Sequence, residues 1–252
     1  VDPDASVEPV IDAVAGIAAD VGVRFKAGMS REQKLYELNR VFFGRYGFGP
    51  DPLDPYLCRP EATLMPLVIK TKRGNSFGLT ALYCVVAHAL DLPVFPVVTP
   101  YHAFARYDDG KLQVNIEMTE AGTRFSDTIY IVGYGLQKID DRRTLYRQSA
   151  GNLIAAQITA LARGACRAGN KLKALEGVRA ARLAAADCYP ADVLEGRLLV
   201  SGNEPAKALE VLERAAKRWP RYAEAPYRAA EIQLKRGKTA AAEELFGQST
   251  KA

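Results

Sequence analysis

Ser76, His102, Asn115 and Glu117 lie far apart in the chain, yet together they have the chemistry of an acyl-transfer site. Ser76 follows Arg73-Gly74-Asn75 and precedes the apolar run from Phe77 to Leu92, so it is expected at a helix N-terminus. Unpaired N–H groups and a partial positive charge there favour an anion. A cysteine so placed has a depressed pKa, and a nearby histidine depresses it further; this position holds serine. His102, one of two histidines, opens the strand expected to lie against that helix, where an imidazole can take the hydroxyl proton. Asn115 or Glu117 then orients the ring. Both share a strand face with Gln113, while Val114, Ile116 and Met118 face the other way. Asn75 is expected to cap the helix or to donate to an oxyanion, which the backbone N–H of Ser76 would also serve. Tyr101 lines the cleft or packs beside it.

The elements that must position these groups are readable in outline. Residues 6–22 have helical spacing, with Val7, Val10, Ile11, Val14 and Ile17 on one side. Ser30 and Gln33 have capping-box spacing, which predicts a second helix to about Phe43 that buries Leu35, Leu38, Val41 and Phe42. Residues 44–60 form a loop rich in Gly, Pro and Asp; residues 61–69 are apolar but interrupted by Pro66, so their class stays open. Phe77 to Leu90 is apolar nearly all round, including Leu79, Leu82, Val85 and Val86, and should be a central buried helix. His88, mid-helix, reads as structural. Val94 to Val98 is β-branched enough for a strand. His102 to Tyr107 and Leu112 to Met118 flank Asp108-Asp109-Gly110 as a hairpin, and Thr128 to Val132 suggests a further strand.

From about residue 150 the composition shifts to Ala, Leu, Arg and Glu with no strand signal. Ala174, Ala208 and Ala242 recur with a period of 34, each preceded by a turn glycine (Gly169, Gly202, Gly237), and the middle copy closes with Trp219-Pro220. This pattern resembles tetratricopeptide repeats. It implies an all-α superhelix over 149–252, with a concave face that docks a protein partner, after an α+β domain over 1–148.

Composition narrows the function classes. With 48% apolar and 25% charged residues, the chain is expected to fold rather than stay disordered. No apolar run reaches the roughly 18 residues that span a bilayer. Residues 151–252 carry 17 Lys and Arg against 11 Asp and Glu, and residues 1–150 carry 17 against 18. The basic charges alternate with acids at helical spacing, which reads as a solvated face, and no basic run with interleaved aromatics points to nucleic acid. Cys58, Cys84, Cys166 and Cys188 lack metal spacing, and no cofactor signature is present. Cys84 reads as core; an oxidising compartment would allow a Cys166–Cys188 bridge. The start at Val1 fits either removal of a leader or a trimmed clone; the first explanation slightly favours a periplasmic or secreted protein over a cytoplasmic one.

The residues Arg73-Gly74-Asn75-Ser76-Phe77-Gly78-Leu79, Tyr83, Asp91-Leu92-Pro93-Val94, Tyr101 to Gly110 and Asn115-Ile116-Glu117-Met118-Thr119 resemble bacterial transglutaminase-like proteins. The resemblance covers about residues 30–135. It implies a papain-like core with a cysteine-type triad acting on a peptide or amide, more as a hydrolase than a crosslinker. By position Ser76 stands where that family has cysteine, and His102 where it has histidine. Glu117-Met118-Thr119 echoes the family's Asp-x-Thr, whereas Asn115 matches the amide of papain-like relatives. Serine in place of cysteine leaves three readings: a pseudoenzyme that binds peptide, an engineered replacement, or a serine enzyme that relies on Glu117. A neutral amide suffices to hold the ring of a Cys–His pair. A serine triad generates imidazolium during the reaction and needs a carboxylate beside it.

Overall fold

In the computed structural model, which describes residues 6–54, 59–99, 101–133, 145, 148–220 and 222–251, the capping box at Ser30 forms. The Ser30 hydroxyl accepts from the Gln33 N–H, and the Gln33 side chain accepts from the Ser30 N–H. It starts α2 (Arg31–Asn39), which widens into a π turn over Arg40–Arg45. Leu35, Leu38, Val41 and Phe42 are buried as expected. Helix α1 (Glu8–Gly22) buries Val14, Ile17, Ala18 and Val21. Val7 and Ile11, expected on the inner side, are 62% and 59% exposed. The buried stripe therefore lies nearer the C-terminal end of the helix than the spacing alone suggests.

Residues 60–71 are helical: α3 (Pro60–Thr63) and α4 (Met65–Thr71). Pro60 and Pro66 each sit in a first turn, where the missing N–H has no intrahelical acceptor to lose. Two short parallel strands, β1 (Gly49–Pro50) and β2 (Arg73–Gly74), deliver the chain to α5 (Ser76–Ala89). Helix α5 buries every residue from Ser76 to Tyr83, then Val86 and Ala87. Removing Leu79, Leu82 and Val86 from water contributes about 2 kcal/mol each. Val85, expected inside, is 43% exposed.

A three-stranded sheet in the order β3 (Val94–Val98), β4 (Ala103–Asp108), β5 (Gln113–Ile116) completes this unit. Strands β4 and β5 are antiparallel, with Ala105 opposite Ile116 and Arg106 opposite Asn115. At their turn Gly110 takes a φ of +83°, and the Asp109 carboxylate accepts from the N–H groups of Lys111 and Leu112. Those bonds, the Leu112 one first, hold the Asp109 carboxyl down at about 2. One sheet face, with Ala105, Tyr107, Val114, Ile116 and Met118, joins α1, α2 and α5 in the core. The other face carries His102, Arg106, Asn115 and Glu117.

Residues 128–132 belong to helix α6 (Asp127–Gly133), not to the strand expected there. The β-branched run Thr-Ile-Tyr-Ile-Val favours strand locally, but with one buried side chain, Tyr130, it offers no second apolar face for a sheet. Local propensity yields to context here. Helices α7 (Ala150–Arg167), α8 (Lys171–Ala184), α9 (Tyr189–Ser201), α10 (Pro205–Arg218), α11 (Glu224–Lys235) and α12 (Thr239–Lys251) follow. Ala174, Ala208 and Ala242 are 0%, 0% and 1% exposed, so the period of 34 marks buried small positions on α8, α10 and α12. At Gly196 an added Cβ would lie 2.6 Å from Leu212 Cγ. Cys166 and Cys188 are free thiols, so the bridge between them does not form. Cys188 lies 3.8 Å from the Thr159 hydroxyl, and burial raises its thiol pKa. Cys58 lies outside the described residues.

By contacts the chain divides into two units: Val1–Val97 with His102–Phe125 and Arg147–Leu153, and Val98–Tyr101 with Ser126–Tyr146 and Ile154–Ala252. No described helix is long and apolar enough to cross a membrane.

Candidate active site

Asn75 caps α5. Its Oδ1 accepts from the Gly78 N–H at 3.0 Å, its Nδ2 donates to Asp54 Oδ2 at 2.9 Å and Thr63 Oγ1 at 2.7 Å, and its N–H donates to Ala62 O at 2.8 Å. A buried amide with both ends engaged serves as a fixed cap rather than as a donor to substrate. It sets Ser76 at the first helical position, fully buried. There the N–H groups of Ser76 and Phe77 have no intrahelical acceptor. Gly78 permits the arrangement, because a Cβ on it would lie 2.3 Å from Ala62 O.

The Ser76 Oγ accepts from the Ala103 N–H at 3.4 Å, which brings the hydroxyl to the start of β4, one residue along the chain from His102. The His102 ring is 5% exposed, and its Nε2 lies 2.8 Å from Oε2 of Glu117, itself 2% exposed. The other carboxylate oxygen, Oε1, accepts from the Thr119 N–H at 2.9 Å and the Thr119 hydroxyl at 2.5 Å. Asn115, the alternative orienter, accepts from Arg106 Nε at 2.7 Å and donates to Phe125 O at 3.0 Å. Tyr101 is grouped with the helical unit. There its hydroxyl donates to Glu224 and the Arg163 guanidinium lies 5.1 Å over its ring. Burial first, then the Glu224 charge, raises the pKa of that hydroxyl.

Burial is the largest single influence on Glu117 and pushes its carboxyl up. The hydrogen bond and charge of His102, with the two Thr119 donors, outweigh it and leave the carboxyl below its ordinary 4.5. A carboxyl that titrates lower folded than unfolded adds stability above its unfolded pKa. That stability is lost as pH falls through the folded value. Urea midpoints measured from about pH 6 down to pH 3 should therefore fall below about pH 4.5, and fall less steeply after Glu117→Gln. Equal slopes for the two proteins would remove Glu117 from the acid response.

Three supports of the site carry no signal in the sequence. Asp54 and Thr63 come from a loop and a four-residue helix. Asn39 accepts from the Tyr83 hydroxyl at 2.6 Å and donates to Gly122 O at 3.2 Å. Gly122 N–H in turn donates to Glu117 O at 2.8 Å, so α5 is tied through Asn39 to the turn that follows Glu117. Among the described residues no cluster of His, Cys, Asp and Glu has the makings of a metal site.

Residues 8–130 match the family model of the transglutaminase-like superfamily, and residues 199–252 match that of the tetratricopeptide repeat. A UPF0162 protein of Haemophilus influenzae is 28% identical over 93 residues, 37% of this chain and 34% of that protein. Protein SirB1 of Salmonella typhimurium is 30% identical over 80 residues, 32% of this chain and 29% of that protein. The chain thus spans about a third of the length of the curated relatives it matches. No solved structure matches it.

Proposed function

The chain carries a transglutaminase-like domain followed by a tetratricopeptide repeat, and from that premise we propose that the first is an acyl-transfer enzyme hydrolysing an amide bond in a peptide. Ser76 is the nucleophile, His102 the base and Glu117 the group that orients the base. The observation that carries this reading is the buried His102–Glu117 pair at 2.8 Å, because a serine nucleophile requires a carboxylate behind its histidine. With Nε2 facing the carboxylate, Nδ1 is the ring atom that exchanges protons with the reactants. Ser76 Oγ bonds to the carbonyl carbon as its proton passes to Nδ1. The C–N bond then breaks as that proton moves to the leaving nitrogen, and an ester remains on Ser76. Water, deprotonated by the same ring, cleaves the ester to a carboxylate and restores the hydroxyl. The N–H groups at the head of α5 are aimed to receive the oxyanion.

A second reading is favoured by one specific observation. Ser76 is wholly buried and its oxygen already accepts from the Ala103 N–H, which suits a non-catalytic module that binds peptide. Incubation with a mixture of unstructured peptides, read by mass spectrometry, separates the two. Cleavage that disappears in both Ser76→Ala and His102→Ala supports the enzyme. No cleavage, together with a Ser76→Cys thiol that reacts with iodoacetamide no faster than free cysteine, establishes the binding module instead.

A further inference from the structure

Tyr83 lies on α5 about two turns beyond Ser76 and is fully buried. Its hydroxyl donates to Asn39 Oδ1, and Asn39 Nδ2 donates to Gly122 O. Gly122 belongs to the turn that joins Glu117 to its bridge partner Thr123. In that turn the Gly122 N–H donates to Glu117 O at 2.8 Å, and the Glu117 N–H donates to Thr123 O at 2.9 Å. Thr119, on the same turn, donates twice to Glu117 Oε1. Backbone and side chain of Glu117 are thus both held by one turn.

That turn is strained and is supported from outside. Ala121 sits at a φ of +50°, directly before Gly122 at +80°, and a residue with a side chain rarely adopts positive φ. A Cβ on Gly122 would lie 2.7 Å from Asn39 Nδ2 and 2.7 Å from Phe43 Cε2, so both side chains press against the turn there. Phe43 also stacks on Tyr83, with 6.0 Å between ring centres. The π turn at the end of α2 begins directly after Asn39 and contains Phe43. Such widened turns are rare and concentrate at functional sites.

We propose that Asn39, held by Tyr83, is a positioning residue that sets the Glu117 carboxylate against the His102 ring through the turn at Gly122. Its effect on hydrolysis rests on the triad proposed above; its effect on the His102–Glu117 pair does not. The Tyr83 hydroxyl fixes which end of the Asn39 amide meets Gly122. An amide oxygen engaged at 2.6 Å leaves Nδ2 to turn toward the carbonyl.

The test uses the full chain with isotope-labelled histidine, read by NMR. The chain has two histidines, and His88→Gln separates their signals. The His102 ring N–H, bonded to the Glu117 carboxylate at 2.8 Å, should give a low-field proton resonance. Asn39→Asp keeps the acceptor for Tyr83 and loses the donor to Gly122, while Tyr83→Phe loses the hydroxyl and keeps the ring. Both should broaden that resonance and move it upfield. Both should also lower kcat for peptide hydrolysis by about tenfold with KM unchanged. Val21→Ala, buried on α1 away from the turn, should lower the melting temperature and leave resonance and kcat in place. A chain that cleaves no peptide, yet shows the shift in both variants and not in Val21→Ala, defeats the triad and upholds the positioning role. Four results would each overturn the proposal: no low-field resonance in the native chain, an unchanged one in both variants, an equal shift in Val21→Ala, or kcat within about twofold of native in both variants of an active chain.

Discussion

Replacing Glu117 by glutamine should abolish peptide hydrolysis, by about 10⁴-fold in kcat, if Ser76 is the nucleophile. The expected magnitude comes from serine-protease triads, and the local hydrogen bonds make the direction specific. Thr119 presents two donors, its N–H and its hydroxyl, to Oε1 of Glu117. A glutamine in the same place must turn its carbonyl oxygen toward those donors, which points its NH₂ at His102 Nε2. Two donors cannot share that bond, so the imidazole proton shifts to Nδ1, the atom that has to accept the proton of Ser76. The substitution also removes the negative charge that stabilises imidazolium as the ester forms. Glu117→Asp keeps the charge on a shorter arm and should retain part of the activity. Steady-state hydrolysis of a cleaved peptide measures both. A Glu117→Gln chain within about tenfold of native would mean that the carboxylate does not support the base.

Gly78→Ala should lower the stability of the first unit by about 3 kcal/mol or more, a fall in melting temperature of roughly 10 °C. Its new Cβ would sit 2.3 Å from the Ala62 carbonyl oxygen, 3.1 Å from Thr63 O and 3.0 Å from Val68 Cγ2. Two of these are backbone atoms and cannot swing aside. The same Ala62 carbonyl accepts the Asn75 N–H, so relief of the clash pulls on the cap that sets Ser76. Gly16→Ala is the control. It lies exposed inside α1 with nothing within 4 Å of an added Cβ, and a helix-interior Gly→Ala change there should stabilise by about 0.5–1 kcal/mol. Thermal melts of the two variants should move in opposite directions. A Gly78→Ala melt within about 2 °C of native would show that α3 can step back at little cost.

The amino-acid sequence by itself determined the local features of this chain. Asn75 before Ser76 spells a helix start, because an Asn side chain satisfies a first-turn N–H whatever surrounds it. Ser30 with Gln33 does the same for α2. Alternation along 113–118 separates the polar face from the core face, because the period of two is a property of the extended backbone. The period of 34 exposes the repeat, because each helix pair needs a small residue where it touches its neighbour.

Only the tertiary structure decided what meets what. Asn115 and Glu117 share one strand face, so alternation ranks them equally; the antiparallel pairing of β4 with β5 and the fold of the turn after Ile116 bring Glu117 to the His102 ring and Asn115 to Arg106. Residues 127–133 became helix against their β-branched composition, since strand propensity acts only where a sheet edge is there to receive it. The roles of Asp54, Thr63 and Asn39 had no local signature, because a hydrogen bond across 12 to 83 residues is set by packing and leaves no spacing to read.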